Sequence, residues 1–97
     1  MKLVIVPLAL AELHDAAAFY TARASVELGL AFVTEFERTA KLVLESPKLG
    51  AIYRGSQRRY LFRRFPYCII YQVTAEELRV IAVAHQRRRP GYWSRRK

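Results

Sequence analysis

Arginine, histidine and aromatic side chains are concentrated in the second half of this 97-residue chain. Arginine forks hold phosphate or carboxylate groups through paired hydrogen bonds, and aromatic rings stack on nucleic-acid bases. The candidate residues for binding a polyanion or a target are Arg58, Arg59, Arg63, Arg64, His85, Arg87, Arg88, Arg89, Tyr92 and Trp93. Residues 58–89 contain two arginine pairs and an arginine triplet, which is more positive charge than solubility requires. The sequence therefore predicts a binding surface.

Part of the same set has the chemistry needed to cut RNA. His85 could donate a proton to a leaving group, and Arg59, Arg63 and Arg88 could stabilise the charge that develops on phosphorus. The alternative is that these side chains only form a solvated basic face. From the residues alone, both interpretations stay open.

Other catalytic or metal-binding patterns are missing from the sequence. No glycine-rich phosphate loop follows a strand, and no serine has a histidine–carboxylate context. Two histidines and one cysteine do not provide the three or four spaced ligands that a metal needs. We therefore expect neither a metal nor a cofactor.

The charge is divided unevenly along the chain. Residues 1–48 carry 5 basic and 6 acidic side chains, whereas residues 49–97 carry 12 basic and 2 acidic ones. The net charges are thus −1 and +10, which predicts an anionic partner for the second half. A lone cysteine, Cys68, fits a reducing cytosol, and no apolar run is long enough to span a membrane. The apolar start of the chain is too short for a signal peptide and is interrupted by Pro7, so we expect a cytoplasmic protein.

Two helices are expected in the first half, after a short strand at residues 2–6. Apolar residues at helical spacing predict one helix from Leu8 to about Ala24. Ser25 is a suitable N-cap for a second helix that ends near Glu45, before Ser46-Pro47. The short connection between them predicts an antiparallel helical hairpin.

Three strands are expected in the second half. Residues 48–57 carry two glycines and are interpreted as a loop. Strands at 58–64, 67–73 and 78–84, joined by short turns, form an antiparallel meander. The prediction is a single domain over residues 1–97 of the α+β class, with order β-αα-βββ. Its two layers are the helical hairpin and a mainly antiparallel four-stranded sheet, followed by a frayed tail at 94–97.

Several segments of the chain also resemble a known family. Residues 59–71 read RYLFRRFPYCIIY, and residues 80–93 read VIAVAHQRRRPGYW. Both are similar to segments of the RelE/ParE toxin superfamily, as are Pro7, Glu12 and Tyr20 in the first helix and the loop at 46–50. The resemblance implies a small, basic, cytoplasmic bacterial toxin of a type II toxin–antitoxin module, with the β-αα-βββ fold. Such toxins inhibit growth or stabilise plasmids, and a cognate antitoxin wraps an acidic or amphipathic segment around them in a hetero-oligomer.

The superfamily has two main activities, and the resemblance favours one of them. RelE-like members cleave mRNA on the ribosome, whereas ParE-like members poison DNA gyrase and are not known as nucleases. RelE-like enzymes tend to carry arginine where Cys68 and Gln86 stand here, so we expect a ParE-like gyrase poison that is not an enzyme. The alternatives are a ribosome-dependent mRNA endonuclease and a toxin-like binding module without poisoning activity.

Overall fold

Two helices and five strands account for most of the chain in the computed structural model, which describes residues 1–88 and 91–96. The elements, in chain order, are β1 Lys2–Ile5, α1 Pro7–Arg23, α2 Val26–Glu45, β2 Ala51–Arg54, β3 Gln57–Leu61, β4 Tyr67–Val73 and β5 Glu77–His85. The helices form one layer and the strands form the other. This arrangement confirms the α+β class and the helical hairpin.

The helical hairpin follows directly from local sequence. Pro7 occupies the first position of α1, where its missing N–H leaves no hydrogen bond unmade. Ser25 caps α2, because its Oγ accepts a hydrogen bond of 3.1 Å from the Leu28 N–H. Gly29 lets the helices approach closely, since a Cβ there would lie 2.8 Å from the Ala17 carbonyl oxygen and even closer to Thr21.

The strands form a single sheet in the order β1-β5-β4-β3-β2. β1 runs parallel to β5, and the other neighbours are antiparallel. The expectation of four strands was wrong, because residues 51–54, interpreted as loop, form β2 against β3. β2 is a short edge strand, and its hairpin turns at Gly55 with a φ of +54°. Such a strand carries no alternation of buried and exposed residues from which it could be recognised.

β1 is the other edge strand and, although it is apolar from Leu3 onwards, it is not buried on both faces. It pairs with β5 alone within the described residues, and Leu3, Val4 and Ile5 are half-buried. The buried face of α1 does not follow side-chain size either, because Ala9 is fully buried whereas Leu10 is 39% exposed. Both features place apolar side chains at the surface near the helical layer.

The core lies between the helices and the centre of the sheet. Side chains of β4 and β5 such as Ile69, Tyr71 and Ile81 are fully buried, as is Phe32 of α2. Phe32 contacts the rings of Phe62 and Tyr67 at centroid distances of 5.5 and 4.8 Å. Within residues 1–88 and 91–96, no helix is long and apolar enough to cross a membrane.

Candidate functional site

The sheet has a second face, turned away from the helices, and the candidate site lies on it. Phe62 and Tyr67 point towards α2, so the residues that alternate with them, Leu61 and Cys68, point to the opposite face. Leu61 pairs with Cys68, which in turn pairs with Ala84 of β5. These three residues form the floor of a concave site across three strands.

The C-terminal segment, residues 91–96, covers part of this face. Trp93 is only 3% exposed, and its Nε1–H donates a hydrogen bond of 3.1 Å to Oε1 of Gln57 in β3. Its ring also lies 5.7 Å from that of Tyr53 in β2. Trp93 therefore forms one wall of the site and buries part of the sheet beneath it.

The resulting cavity, named here the arginine pocket, has a volume of about 190 Å³. Its lining residues are Tyr53, Arg59, Leu61, Cys68, Ala84, His85, Gln86, Arg88 and Trp93. The pocket brings together Arg59, His85, Arg88 and Trp93 from the set expected from the sequence. Among residues 1–88 and 91–96, no carboxylate lines it, and burial raises the pKa of the Cys68 thiol to about 11. The thiol is thus neutral at neutral pH, and the fixed charge of the pocket is positive.

Aromatic rings hold the two arginines of the pocket in place. The Arg59 guanidinium lies 5.0 Å from the centre of the Tyr53 ring, and that of Arg88 lies 4.2 Å from the Tyr92 ring. Contacts of this kind attract the cation to the ring without using its N–H groups. Both arginines are therefore positioned by rings, and their N–H groups make no hydrogen bond to the described part of the chain.

His85 is oriented by its own chain. Its Nδ1 accepts a hydrogen bond of 3.0 Å from the Arg87 N–H, so Nε2 carries the ring proton in this arrangement. The imidazole also packs edge-on against Tyr67, with a centroid distance of 5.0 Å. His85 can therefore act as a hydrogen-bond donor at the pocket through Nε2.

One helical carboxylate, Glu12 of α1, fastens the C-terminal segment to the domain. It accepts hydrogen bonds from the Val83 N–H at 3.0 Å, from the Tyr92 hydroxyl and from the Arg96 guanidinium at 2.7 Å. Burial and the bond to Glu12 raise the pKa of Tyr92, so its hydroxyl stays protonated as the donor. Arg96 belongs to the segment expected to fray, yet it makes this ion pair, whereas Lys97 lies outside the described residues.

A second carboxylate, Glu35 of α2, fastens the turn between β3 and β4. Glu35 Oε2 accepts hydrogen bonds from the N–H groups of Arg63 and Arg64 at 2.7 and 3.0 Å, and its carboxylate forms a forked ion pair with Arg38. The Arg38 bond, together with these backbone bonds, lowers the pKa of Glu35 to about 2. The carboxylate stays ionised although the residue is only 8% exposed.

The other arginines expected at a binding surface are placed elsewhere. Arg63 and Arg64 are exposed on the β3–β4 turn and do not line the pocket, so Arg63 is separated from the other candidate RNA-cleavage groups. Arg58 donates hydrogen bonds to the carbonyl oxygens of Lys48 and Gly50 and so holds a loop. Arg87 is exposed beside the pocket, and Arg89 lies outside the described residues.

An apolar groove lies on the helical side of the sheet, between β1 and α2. It has a volume of about 350 Å³. Its apolar lining consists of Leu3, Ile5, Leu13, Val33, Phe36, Ala40 and Leu44, with Glu37 and Lys41 beside them. The edge of β1 that has no strand partner within the described residues adjoins this groove.

The sequence did not indicate Glu12, Glu35, Tyr53 or Gln57 as site residues, nor the pocket-lining residues Leu61, Cys68, Ala84 and Gln86. A signal existed only for Glu35, which lies on the buried stripe of α2 three residues after Phe32. The partners of Glu12 are 71 to 84 residues away in sequence, so nothing local marks it. Among residues 1–88 and 91–96, no three histidine, cysteine, aspartate or glutamate side chains are grouped to hold a metal ion.

Comparison with known proteins identifies a family over most of the chain. A family model described as the ParE toxin of the type II toxin–antitoxin system parDE matches residues 3–90. The fold is similar to a chain in a structure titled "Chromosomal ParDE TA system from P. aeruginosa", with a TM-score of 0.78 and 19% sequence identity. That match covers 88% of this chain and 95% of the other. No curated protein matches the sequence.

Proposed function

The chain belongs to the ParE toxin family of type II toxin–antitoxin systems, and from this premise we propose that it inhibits bacterial growth by poisoning DNA gyrase. The proposal places the protein in the bacterial cytoplasm, where gyrase acts. Membership of a toxin–antitoxin module gives it a cognate antitoxin as a partner. The finer questions are how that antitoxin docks and what the toxin attacks.

We propose that the antitoxin docks in the apolar groove and along the edge of β1. A groove lined by seven apolar side chains suits the apolar face of an amphipathic helix. The unpaired backbone groups of β1 suit an added strand. An acidic continuation of the same segment would be attracted to the basic half of the molecule. The assembly would be a hetero-oligomer in which apolar surface at the groove is buried.

The observation that carries the assignment to gyrase rather than RNA is the chemistry at Cys68. RelE-like enzymes tend to carry a cationic arginine at this position, whereas here a buried, neutral thiol forms the pocket floor. Gln86 stands at the second position where RelE-like enzymes tend to carry arginine, and it is also uncharged. Two of the arginines expected in a RelE-like nuclease are therefore replaced, which favours a poison that acts by binding.

A supercoiling assay with purified gyrase and purified toxin tests this proposal. Supercoiling should fall in a toxin-dependent manner at micromolar toxin and should recover when the antitoxin is added first. Heat-denatured toxin is the control for nonspecific inhibition by a basic polypeptide. Unchanged supercoiling at micromolar toxin would contradict the gyrase proposal.

The second candidate function is ribosome-dependent cleavage of mRNA, which one observation favours. Arg59, His85 and Arg88 meet in the arginine pocket, and these groups could bind and protonate a scissile phosphodiester. Primer extension on ribosome-bound mRNA would then reveal cuts, and His85→Ala would reduce them about ten-fold or more. Intact message after toxin induction would exclude this function.

A further inference from the structure

We propose that the arginine pocket binds a single phosphate group carried by a nucleotide. This inference concerns the toxin alone and requires neither gyrase nor the antitoxin. Of the arginine-rich set that the sequence indicated, three side chains are assigned to phosphate binding: Arg59, His85 and Arg88. The proposed event is binding only, with no covalent step.

Arg59 and Arg88 donate no side-chain hydrogen bond to another residue within 1–88 and 91–96. In the part of the chain that the structure describes, the ion pairs are made by Arg38, Arg79 and Arg96, not by Arg59 or Arg88. Each of the latter rests on a tyrosine ring, as described above, and both line the same cavity. Two positioned guanidinium groups without a carboxylate partner are suited to a phosphate, whose oxygens accept their paired N–H donors.

His85 adds a third donor to the two arginines. Because Nδ1 is occupied by the Arg87 N–H, the remaining ring N–H is at Nε2. This N–H can donate a further hydrogen bond to an anion held by the two arginines. The three donors come from β3, from the end of β5 and from the residues just after it, so a rigid sheet sets most of their spacing.

The size and lining of the pocket select the class of ligand. A cavity of about 190 Å³ is smaller than the roughly 300–1,000 Å³ that drug-sized ligands occupy, so it suits a small group. Among the described residues no carboxylate lines this pocket, and the Cys68 thiol is neutral. The carboxylates near the anion site are Glu12 and Asp15, in the neighbouring cavity that His85 and Arg88 also border. Leu61 is 48% exposed and lines the pocket, which provides apolar contact for a sugar attached to the phosphate.

Trp93 makes this proposal directly measurable. It is the only tryptophan of the chain and lines the pocket, so its fluorescence reports on occupancy. Purified toxin would be titrated with thymidine 5′-monophosphate, inorganic phosphate and thymidine. We expect a saturable change with the first, weaker saturation with the second and no saturation with the third. The proposal would be overturned if thymidine, which carries no phosphate, gave a saturable change. It would also be overturned if neither thymidine 5′-monophosphate nor inorganic phosphate gave one.

Adjacent arginines provide a matched pair of variants. Arg88→Ala, and likewise Arg59→Ala, should weaken binding of thymidine 5′-monophosphate about ten-fold or more, because each removes charge-assisted hydrogen bonds. Arg87→Ala removes the same charge from an adjacent residue that is exposed, as Arg88 is, but that, unlike Arg88, does not line the pocket, and it should change affinity by about two-fold at most. Circular dichroism and melting curves verify that each variant is folded.

Equal weakening by Arg87→Ala and Arg88→Ala would mean that general basicity, not the pocket, attracts the ligand, and would overturn the proposal. Arg88→Lys is a further variant, which keeps the charge but loses the guanidinium fork, and its affinity should lie between wild type and Arg88→Ala. Because these titrations contain no gyrase, their outcome is independent of the supercoiling assay.

Discussion

The apolar groove and the arginine pocket are two concave surfaces of opposite chemistry on opposite faces of one sheet. The groove is lined mostly by aliphatic side chains of β1, α1 and α2. The pocket is lined by two arginines and a histidine, and its walls come from β2, β3 and the C-terminal segment. No lining residue is shared between them.

This separation indicates how the charge asymmetry of the chain is used. The first half, with a net charge of −1, supplies all the lining residues of the groove, and the second half, with +10, supplies all those of the pocket. Apolar burial and anion recognition can therefore be changed independently. The two halves are fastened together by Glu12 and Glu35, each of which reaches from a helix to an arginine-rich segment.

The largest expected effect is on antitoxin binding at the groove. Val33→Arg places a charge among the apolar lining residues and should weaken antitoxin binding by about 2 kcal/mol or more, roughly thirty-fold. The long arginine stem can extend to solvent, so the domain should stay folded. Isothermal titration calorimetry measures the affinity, and Trp93 fluorescence should show unchanged binding of thymidine 5′-monophosphate.

Leu30→Arg is the matched control for this variant. Leu30 lies on the same helix, is 61% exposed and does not line the groove. Antitoxin affinity should stay within about two-fold of wild type for this control. If both variants bind the antitoxin as wild type does, the groove is not the docking site.

A second prediction concerns Glu35, which joins α2 to the β3–β4 turn. Glu35→Gln should lower the free energy of unfolding at neutral pH by roughly 2–3 kcal/mol, because the ionised carboxylate loses its bonds to Arg38 and the turn. Its folded pKa of about 2 lies below the ordinary 4.5. The carboxylate therefore contributes its stability above about pH 4.5, and this contribution is lost as the pH falls towards 2.

Urea unfolding of wild type and Glu35→Gln at neutral pH and at about pH 3 measures this effect. The difference between the two proteins should narrow at the lower pH. Glu37→Gln, which changes an exposed carboxylate of the same helix, should alter stability by no more than about 0.5 kcal/mol. A pH-independent difference for Glu35→Gln would refute the electrostatic explanation.

A third prediction concerns the close contact between α1 and α2 at Gly29. These two helices supply most of the groove lining. Gly29→Ala should destabilise the protein by about 1–2 kcal/mol, since the added methyl group meets the Ala17 carbonyl and the gain in helix propensity only partly compensates. Thermal unfolding measures the change, and Leu30→Ala at the neighbouring exposed position is the control. A Gly29→Ala protein as stable as wild type would show that the helices can separate without cost.

The smallest expected effect separates the two roles of Tyr92. Tyr92→Phe removes the hydroxyl that donates to Glu12 and should cost about 0.5–1.5 kcal/mol of stability. The ring beneath Arg88 is kept, so phosphate binding should change little. Tyr92→Ala removes the ring as well and should weaken phosphate binding in the fluorescence titration. Equal phosphate affinity for both variants would show that the ring does not position Arg88.

The regular elements could be read from the sequence because their signals are local. The cap at Ser25 and the β-rich run at 67–73 were predicted as the structure has them. β2 was missed because its stability comes from pairing with β3 and not from its own residues. Local signals therefore identify the elements whose ends and faces are determined by neighbouring residues.

For the candidate site, the sequence predicted the types of residue involved but not their arrangement in space. The sequence indicated an arginine-rich surface but could not distinguish Arg58, which holds loop carbonyls, from Arg59, which lines the pocket. That difference arises from strand alternation once the register of β3 is known. Glu12 and Tyr53 were missed for a related reason, because their contacts are with residues that are distant in sequence and become neighbours only in the folded domain.

The most direct test of separate surfaces for antitoxin and target is the supercoiling assay performed with Val33→Arg. Wild-type toxin should inhibit gyrase and be relieved by the antitoxin. Val33→Arg should inhibit equally but resist relief at the antitoxin concentration that rescues wild type. If wild-type toxin leaves supercoiling unchanged, or if folded Val33→Arg no longer inhibits, the toxin does not poison gyrase through a surface separate from the groove.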